Sequence, residues 1–171
     1  MKKIIFLIAA ALSANAVAIQ LNDILPGKTE ADLKKAALTC KTGKSKYTTC
    51  TTSKPTQVEQ LEATPYSIET FIDKKRSNTS HLTQITLTKP YESTKGCIDK
   101  KSPEGFIEQD CSASKEYQAN QAKIAQATAA AESKLTKLFG SSRKDELGRK
   151  YWLNKADNKF FFEGDTLNIQ E

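Results

Sequence analysis

The apolar and polar positions of this chain change period several times, and each change predicts an element. Ile4 to Leu12 is an unbroken apolar run behind Lys2 and Lys3. From Asn22 to Leu38 the sequence reads as a capped helix entered through a turn at Pro26-Gly27 and ending near Thr39. Thr29 is its expected cap, Asp32 completes a variant capping box, and Leu33, Ala36 and Ala37 form its apolar side. Lys41 to Pro55, rich in Thr, Lys and Ser, reads as a short hairpin or loop. Tyr66 to Asp73 alternates with Tyr66, Ile68, Thr70 and Ile72 on one face, and Leu82 to Thr88 alternates with Ile85 and Leu87 opposite Gln84 and Thr86. Together they predict a hairpin with a charged tip between Lys74 and Ser80.

Lys89 to Cys111 shows no periodicity and contains Pro90, Gly96, Pro103 and Gly105, so it reads as a long functional loop or insertion. Ser114 to Leu138 then gives the clearest helix. Tyr117, Ile124, Ala127, Ala131, Leu135 and Leu138 recur at helical spacing, and Gly140 provides a stop. Strands return at Tyr151 to Asn154, Lys159 to Glu163 and Thr166 to Ile169. Helix, hairpin, long helix and hairpin in this order predict an α+β fold. Its antiparallel sheet would have about four to five strands, with helices packed on one face.

The N-terminal pattern also sets the compartment. A positive start, a short apolar run and Ala16-Val17-Ala18 match an export signal with cleavage expected before Ile19. The apolar run is too short to anchor in a bilayer. Residues 1–18 are therefore expected to be a signal peptide and residues 19–171 a single periplasmic domain, with secretion as the second choice. Losing Lys2 and Lys3 would lower the formal charge from +6 to +4, a mild excess that favours an anionic partner. In an oxidising compartment Cys40, Cys50, Cys97 and Cys111 are expected to form two disulfides, with the local pairs Cys40–Cys50 and Cys97–Cys111 preferred because each encloses a polar, turn-rich stretch. Neither pair has the short spacing of a zinc finger, and no Cys-x-x-Cys redox motif occurs.

The turn through Gly27-Lys28-Thr29 into a helix, the antiparallel strands after it, and Leu138-Phe139-Gly140 followed by Trp152 on a strand resemble two groups of small exported bacterial proteins. These are the β-lactamase-inhibitor-protein-like domains and the small outer-membrane-assembly lipoproteins. The resemblance implies a small exported α+β domain. The chain departs from the lipoproteins in having no cysteine directly after the expected cleavage site.

No assembled catalytic constellation is legible. His81 is the only histidine, and although Ser77 and Ser80 are near it, no nucleophile elbow surrounds them. The carboxylate pairs Glu59 with Glu62 and Glu104 with Glu108 lie in polar, lysine-containing stretches. No phosphate loop, dinucleotide fingerprint or calcium loop is present, and no cofactor is expected. Two basic clusters, Lys74-Lys75-Arg76 and Lys100-Lys101, read either as an electrostatic contact or as solubilising charge. Aromatic residues do not interleave with them, so nucleic acid is not an expected partner. In Phe160-Phe161-Phe162, strand alternation puts Phe161 on the face opposite its neighbours, where it and Trp152 are candidate contacts. These features point to a non-catalytic binding protein for a protein or anionic envelope partner, in its sharper form an inhibitor or immunity protein. The alternatives are a small cell-envelope hydrolase and an envelope scaffold.

Overall fold

A computed structural model describes residues 17–44 and 47–171. In chain order the elements are β1 Val17–Ile19, α1 Glu30–Lys35, β2 Leu38–Thr42, β3 Tyr47–Thr52, β4 Thr56–Val58, β5 Ser67–Asp73, β6 Ser80–Thr86, β7 Ile98–Lys101 and β8 Ile107–Asp110. They continue with α2 Lys115–Phe139, β9 Arg143–Lys144, β10 Lys150–Leu153, β11 Lys159–Glu163 and β12 Thr166–Gln170. The main sheet has eight antiparallel strands in the order β2-β3-β5-β6-β12-β11-β10-β9. β1 pairs with β4, and β7 with β8, in two separate two-stranded sheets.

This mostly β architecture overturns the expected α+β fold of four to five strands. The first difference lies in the helix expected from Asn22 to Leu38, of which only Glu30–Lys35 is α-helical. Its start is as the sequence indicates: the Thr29 hydroxyl accepts from the Asp32 amide at 3.2 Å, and the Asp32 carboxylate accepts from the Thr29 amide at 3.1 Å. Its end comes early because Ala37 turns at a φ of 63° and Leu38 already begins β2. The second difference lies in the threonines from Thr39 to Thr52. Their branched Cβ favours extended backbone, and they build two full strands of the main sheet. Cys40 and Cys50 face each other across these strands, with Cα atoms 3.9 Å apart, and are joined by a disulfide.

One face of the sheet forms the core, presenting Ile68, Ile72, Ile85, Leu167, Ile169, Phe160 and Trp152. Ile19, Leu21, Ile24, Leu33, Val58 and Leu61 from the N-terminal and β4 segments belong to the same core, as does Leu135 of α2. Buried threonines in the sheet are satisfied within it. Thr70 and Thr83 bond to each other at 3.2 Å, and the Thr83 hydroxyl also donates to the Ile24 carbonyl. Residues 1–16 of the expected signal peptide lie outside the described residues. Val17 and Ala18 pair with Thr56 and Gln57 but are exposed, whereas Ile19 is buried, so cleavage before Ile19 would keep the buried side chain of β1.

Among the described residues, α2 buries apolar side chains only in its C-terminal turns. Of the expected apolar stripe only Ala131 and Leu135 are buried, and Leu138 is 44% exposed. Phe139 stacks on Phe160 at 4.6 Å, and the Trp152 indole N–H donates to the Thr136 hydroxyl at 3.1 Å. From Ala131 back to its first residue, about 24 Å, the helix fully buries no other residue, and Tyr117, Ile124 and Ala127 are half-buried. Ser114 caps that N-terminal end, and Gly140, with a φ of 84°, ends the helix where a side chain would be strained.

Candidate functional site

The segment expected to be a functional loop closed by Cys97–Cys111 has that disulfide, and within it the chain forms a two-stranded ribbon. β7 and β8 pair antiparallel from Ile98↔Asp110 to Lys101↔Ile107, and Cys97–Cys111 closes the base with Cα atoms 4.1 Å apart. At the tip Pro103-Glu104-Gly105 is a three-residue loop. The Ser102 amide donates to the Phe106 carbonyl at 2.8 Å, and Gly105 takes the left-handed conformation such loops need, with a φ of 89°. The base is fixed to the start of α2. The Ser114 hydroxyl donates to the Lys95 carbonyl at 2.8 Å, Lys95 pairs with Glu116 at 3.4 Å, and Tyr91 meets Tyr117 edge to face at 5.4 Å.

The ribbon buries no apolar side chain of its own. Ile98, Phe106 and Ile107 are 57%, 70% and 74% exposed, a cost that water exacts unless something covers them. Register places Ile98 and Phe106 on one face and Ile107 on the other. The polar positions are mostly acidic: Asp99, Glu104, Glu108 and Asp110 against Lys100 and Lys101. Lys100 bonds to Asp110, which, with bonds from Ser112, holds the Asp110 carboxyl well below the usual carboxylate range. Lys101 is exposed.

The remaining expected contact residues are distributed elsewhere. Lys74, Lys75 and Arg76 lie at the β5–β6 tip, as the sequence indicates. Lys74 is engaged with Glu30 at 3.0 Å, Arg76 lies 3.6 Å from Asp73, and Asp73 orders the turn by accepting from the Lys75 amide at 3.0 Å. Trp152 is only 2% exposed, on the core face beneath α2, where it packs in the fold and offers no accessible surface. Phe161 lies on the opposite face but is 5% exposed, with the Arg149 and Lys159 cations 5.4 and 5.5 Å from its ring centroid. That cover removes it too from the accessible surface.

Beside Phe161 the β9–β10 loop forms an open cleft of about 730 Å³ with Tyr151 and Leu153. Three of its charged side chains, Asp145, Arg149 and Lys159, are engaged with one another. Asp145 accepts from the Arg149 side chain at 2.9 Å and lies 3.5 Å from Lys159, whose ammonium sits 4.7 Å from the Tyr151 ring. Burial raises the Asp145 carboxyl, but its bonds from Arg149 and Leu147 outweigh this and leave it lowered. His81 is exposed and lines a small cavity with Asp73 and Ser77, but its side chain makes no hydrogen bond among the described residues, and Ser77 bonds to Thr79. Nucleophile and base are thus not coupled there.

The exposed apolar positions of the ribbon were not singled out in the sequence. Their signal was a Pro-Glu-Gly turn flanked by Ile98 on one side and Phe106-Ile107 on the other, all inside two cysteines. Among the described residues no helix is long and apolar enough to cross a membrane, and no group of three or more His, Cys, Asp or Glu side chains is placed to hold a metal ion. All four cysteines are paired in two disulfides, which fit an extracytoplasmic protein. Comparison of the chain with family models, with curated proteins and with solved structures returns no match.

Proposed function

We propose that this chain is a non-catalytic periplasmic binding module that grips a protein partner with the β7–β8 ribbon. The observation that carries this reading is the exposure of Ile98, Phe106 and Ile107 on a ribbon that stands outside the main sheet and is closed by its own disulfide. A side chain the size of Phe106, if covered by a partner, contributes roughly 1.5–3 kcal/mol. The staple and the Ser114 and Glu116 contacts fix the ribbon before binding, which reduces the ordering cost of association. Such a rigid projecting loop suits an inhibitor or immunity protein that blocks an enzyme, the function suggested by the inhibitor-protein-like resemblance. Lys75 and Arg76, at the β5–β6 tip and not on the ribbon, add cations that would steer an acidic region of the partner other than the segment the ribbon grips, and carry little of the final affinity.

The experiment compares capture from a periplasmic extract by oxidised wild-type protein and by the double variant Phe106→Ser/Ile107→Ser. A stoichiometric protein retained by the wild type and lost by the variant supports the reading. Equal capture by both, or retention on cell-wall or lipid fractions instead, overturns it. Hydrolysis of an envelope substrate that disappears in His81→Ala would establish the catalytic alternative in its place.

A further inference from the structure

We propose that the outer edge of β8 accepts a basic, extended segment of the partner protein as an added strand. The inference rests on the ribbon being the binding element and names the chemistry of what it binds. Antiparallel pairs alternate between hydrogen-bonded and non-bonded positions. The bond from the Ser102 amide to the Phe106 carbonyl makes that pair a bonded one, so Lys100↔Glu108 and Ile98↔Asp110 are bonded in turn. The backbone groups of Ile107 and Gln109 therefore point outward from β8, and those of Asp99 and Lys101 outward from β7. None has a hydrogen-bond partner among the described residues.

The two edges differ in charge. β7 reads Ile-Asp-Lys-Lys and is followed by Ser102-Pro103, so its edge carries the lysines and proline that commonly keep another strand away. β8 reads Ile-Glu-Gln-Asp, with Phe106 before it, and has no cation of its own. A strand laid along β8 would find unpaired amides and carbonyls at Ile107 and Gln109. Phe106 and Glu108 would lie on one side of it, and Ile107 on the other. Apolar and basic side chains in alternation match that edge, with backbone bonds giving affinity and the side chains giving selectivity. Between Cys97 and Cys111 the ribbon has four carboxylates against two ammonium groups, although the whole chain is formally +6. Two such ribbons would repel each other, as would a ribbon and an anionic bilayer, so the occupant is a basic polypeptide.

The test uses the full oxidised mature protein and fluorescein-labelled decapeptides read by anisotropy. The first alternates valine and lysine, and the second alternates valine and glutamate. The third is the valine–lysine peptide with every second backbone amide N-methylated, which keeps its charge but removes the donors along one edge. The expected result is that the first peptide binds at least ~10-fold more tightly than either of the others, and that Glu108→Lys reverses the preference between lysine and glutamate. Equal binding of the methylated peptide overturns strand addition, and equal binding of the glutamate peptide overturns the charge assignment. A ribbon-dependent dimer in sedimentation, or binding to phosphatidylglycerol vesicles lost in Phe106→Ser, assigns the edge to another occupant and also overturns the proposal. If extract capture still depends on Phe106 and Ile107 while the peptides fail, only the strand-addition inference falls.

Discussion

Removing each disulfide in turn separates the two parts of the molecule. The loops are similar, with sequence separations of 10 for Cys40–Cys50 and 14 for Cys97–Cys111. The chain-entropy model assigns each link about 3 kcal/mol through the unfolded state. Loop length alone would therefore make C40S/C50S and C97S/C111S equally harmful. The structure says otherwise. Cys50 is fully buried between β2 and β5 in the core, so opening that link leaves the native sheet ordered while the unfolded chain gains its entropy. C40S/C50S should then lower global stability by about 3 kcal/mol, or about 6–12 °C in midpoint for a chain of this size. The β7–β8 ribbon has no buried apolar side chain and no strand neighbour beyond its own pair. Two strands alone are marginal in water, so without the staple the ribbon melts inside an otherwise native molecule. The native state then gains nearly the same loop entropy as the unfolded state, and the two gains cancel. C97S/C111S should move the midpoint by less than about 2 °C while abolishing amide protection from Ile98 to Asp110. Trp152, the only tryptophan, is buried on β10 under α2 and reports the global transition, and exchange mass spectrometry reports the ribbon. Equal midpoint shifts for the two variants, or a protected ribbon in C97S/C111S, would refute the division.

The same geometry yields further outcomes. Leu135→Ala should cost about 2–5 kcal/mol in denaturant unfolding followed at Trp152, whereas Leu138→Ala, on the exposed side, should stay within about 0.5 kcal/mol. The Lys100 bond and then the Ser112 bonds lower the Asp110 carboxyl, so their support of the ribbon is present above the ordinary value of 3.8 and is lost as pH falls through the depressed folded value. NMR shifts at Gln109 should follow that loss below pH 3.8, and Asp110→Asn should remove the pH dependence. Lys75→Ala/Arg76→Ala should slow association and flatten its salt dependence, while Phe106→Ser should act on dissociation, as surface plasmon resonance with the captured partner would show.

Legibility in the sequence followed burial. Where one face of a strand is buried and the other is wet, period-two alternation is strong, and β5 and β6 were readable from Ile68, Thr70, Ile72 and Ile85. The cap at Thr29 was readable for a different reason: it depends on local bonds that the sequence spells out within three residues. The β2–β3 pair was legible only in part: threonine is polar by composition and β-forming by shape, so the stretch read equally as a short hairpin or a loop, and its two full strands in the main sheet were not foreseen. The long helix misled in the opposite direction. Its alanines and Ile124 imitate a packing stripe, but only the turns around Ala131 and Leu135 reach the sheet. Of the expected contacts, the basic tip stands at the surface, whereas Trp152 and Phe161 are buried. Alternation predicts which face an aromatic occupies, and cannot tell that Arg149 and Lys159 will cover it.

The unequal anchoring of α2 explains why the exposed ribbon is compatible with a stable protein. The core closes without it: Leu135 and the Phe139–Phe160 stack hold the helix, while the ribbon hangs from the other end through polar bonds at Ser114 and Glu116. A change at Phe106, Ile107 or Glu108 therefore touches no buried side chain, and its cost to folding is set by exposed positions alone. Under the proposed function, recognition at the tip and stability of the sheet would be energetically separate, because additivity holds for sites that share no partners. The three exposed apolar side chains cannot be justified by folding, since folding leaves them in water. Cover by a partner is what the proposed function would supply, and the Phe106→Ser/Ile107→Ser comparison tests it.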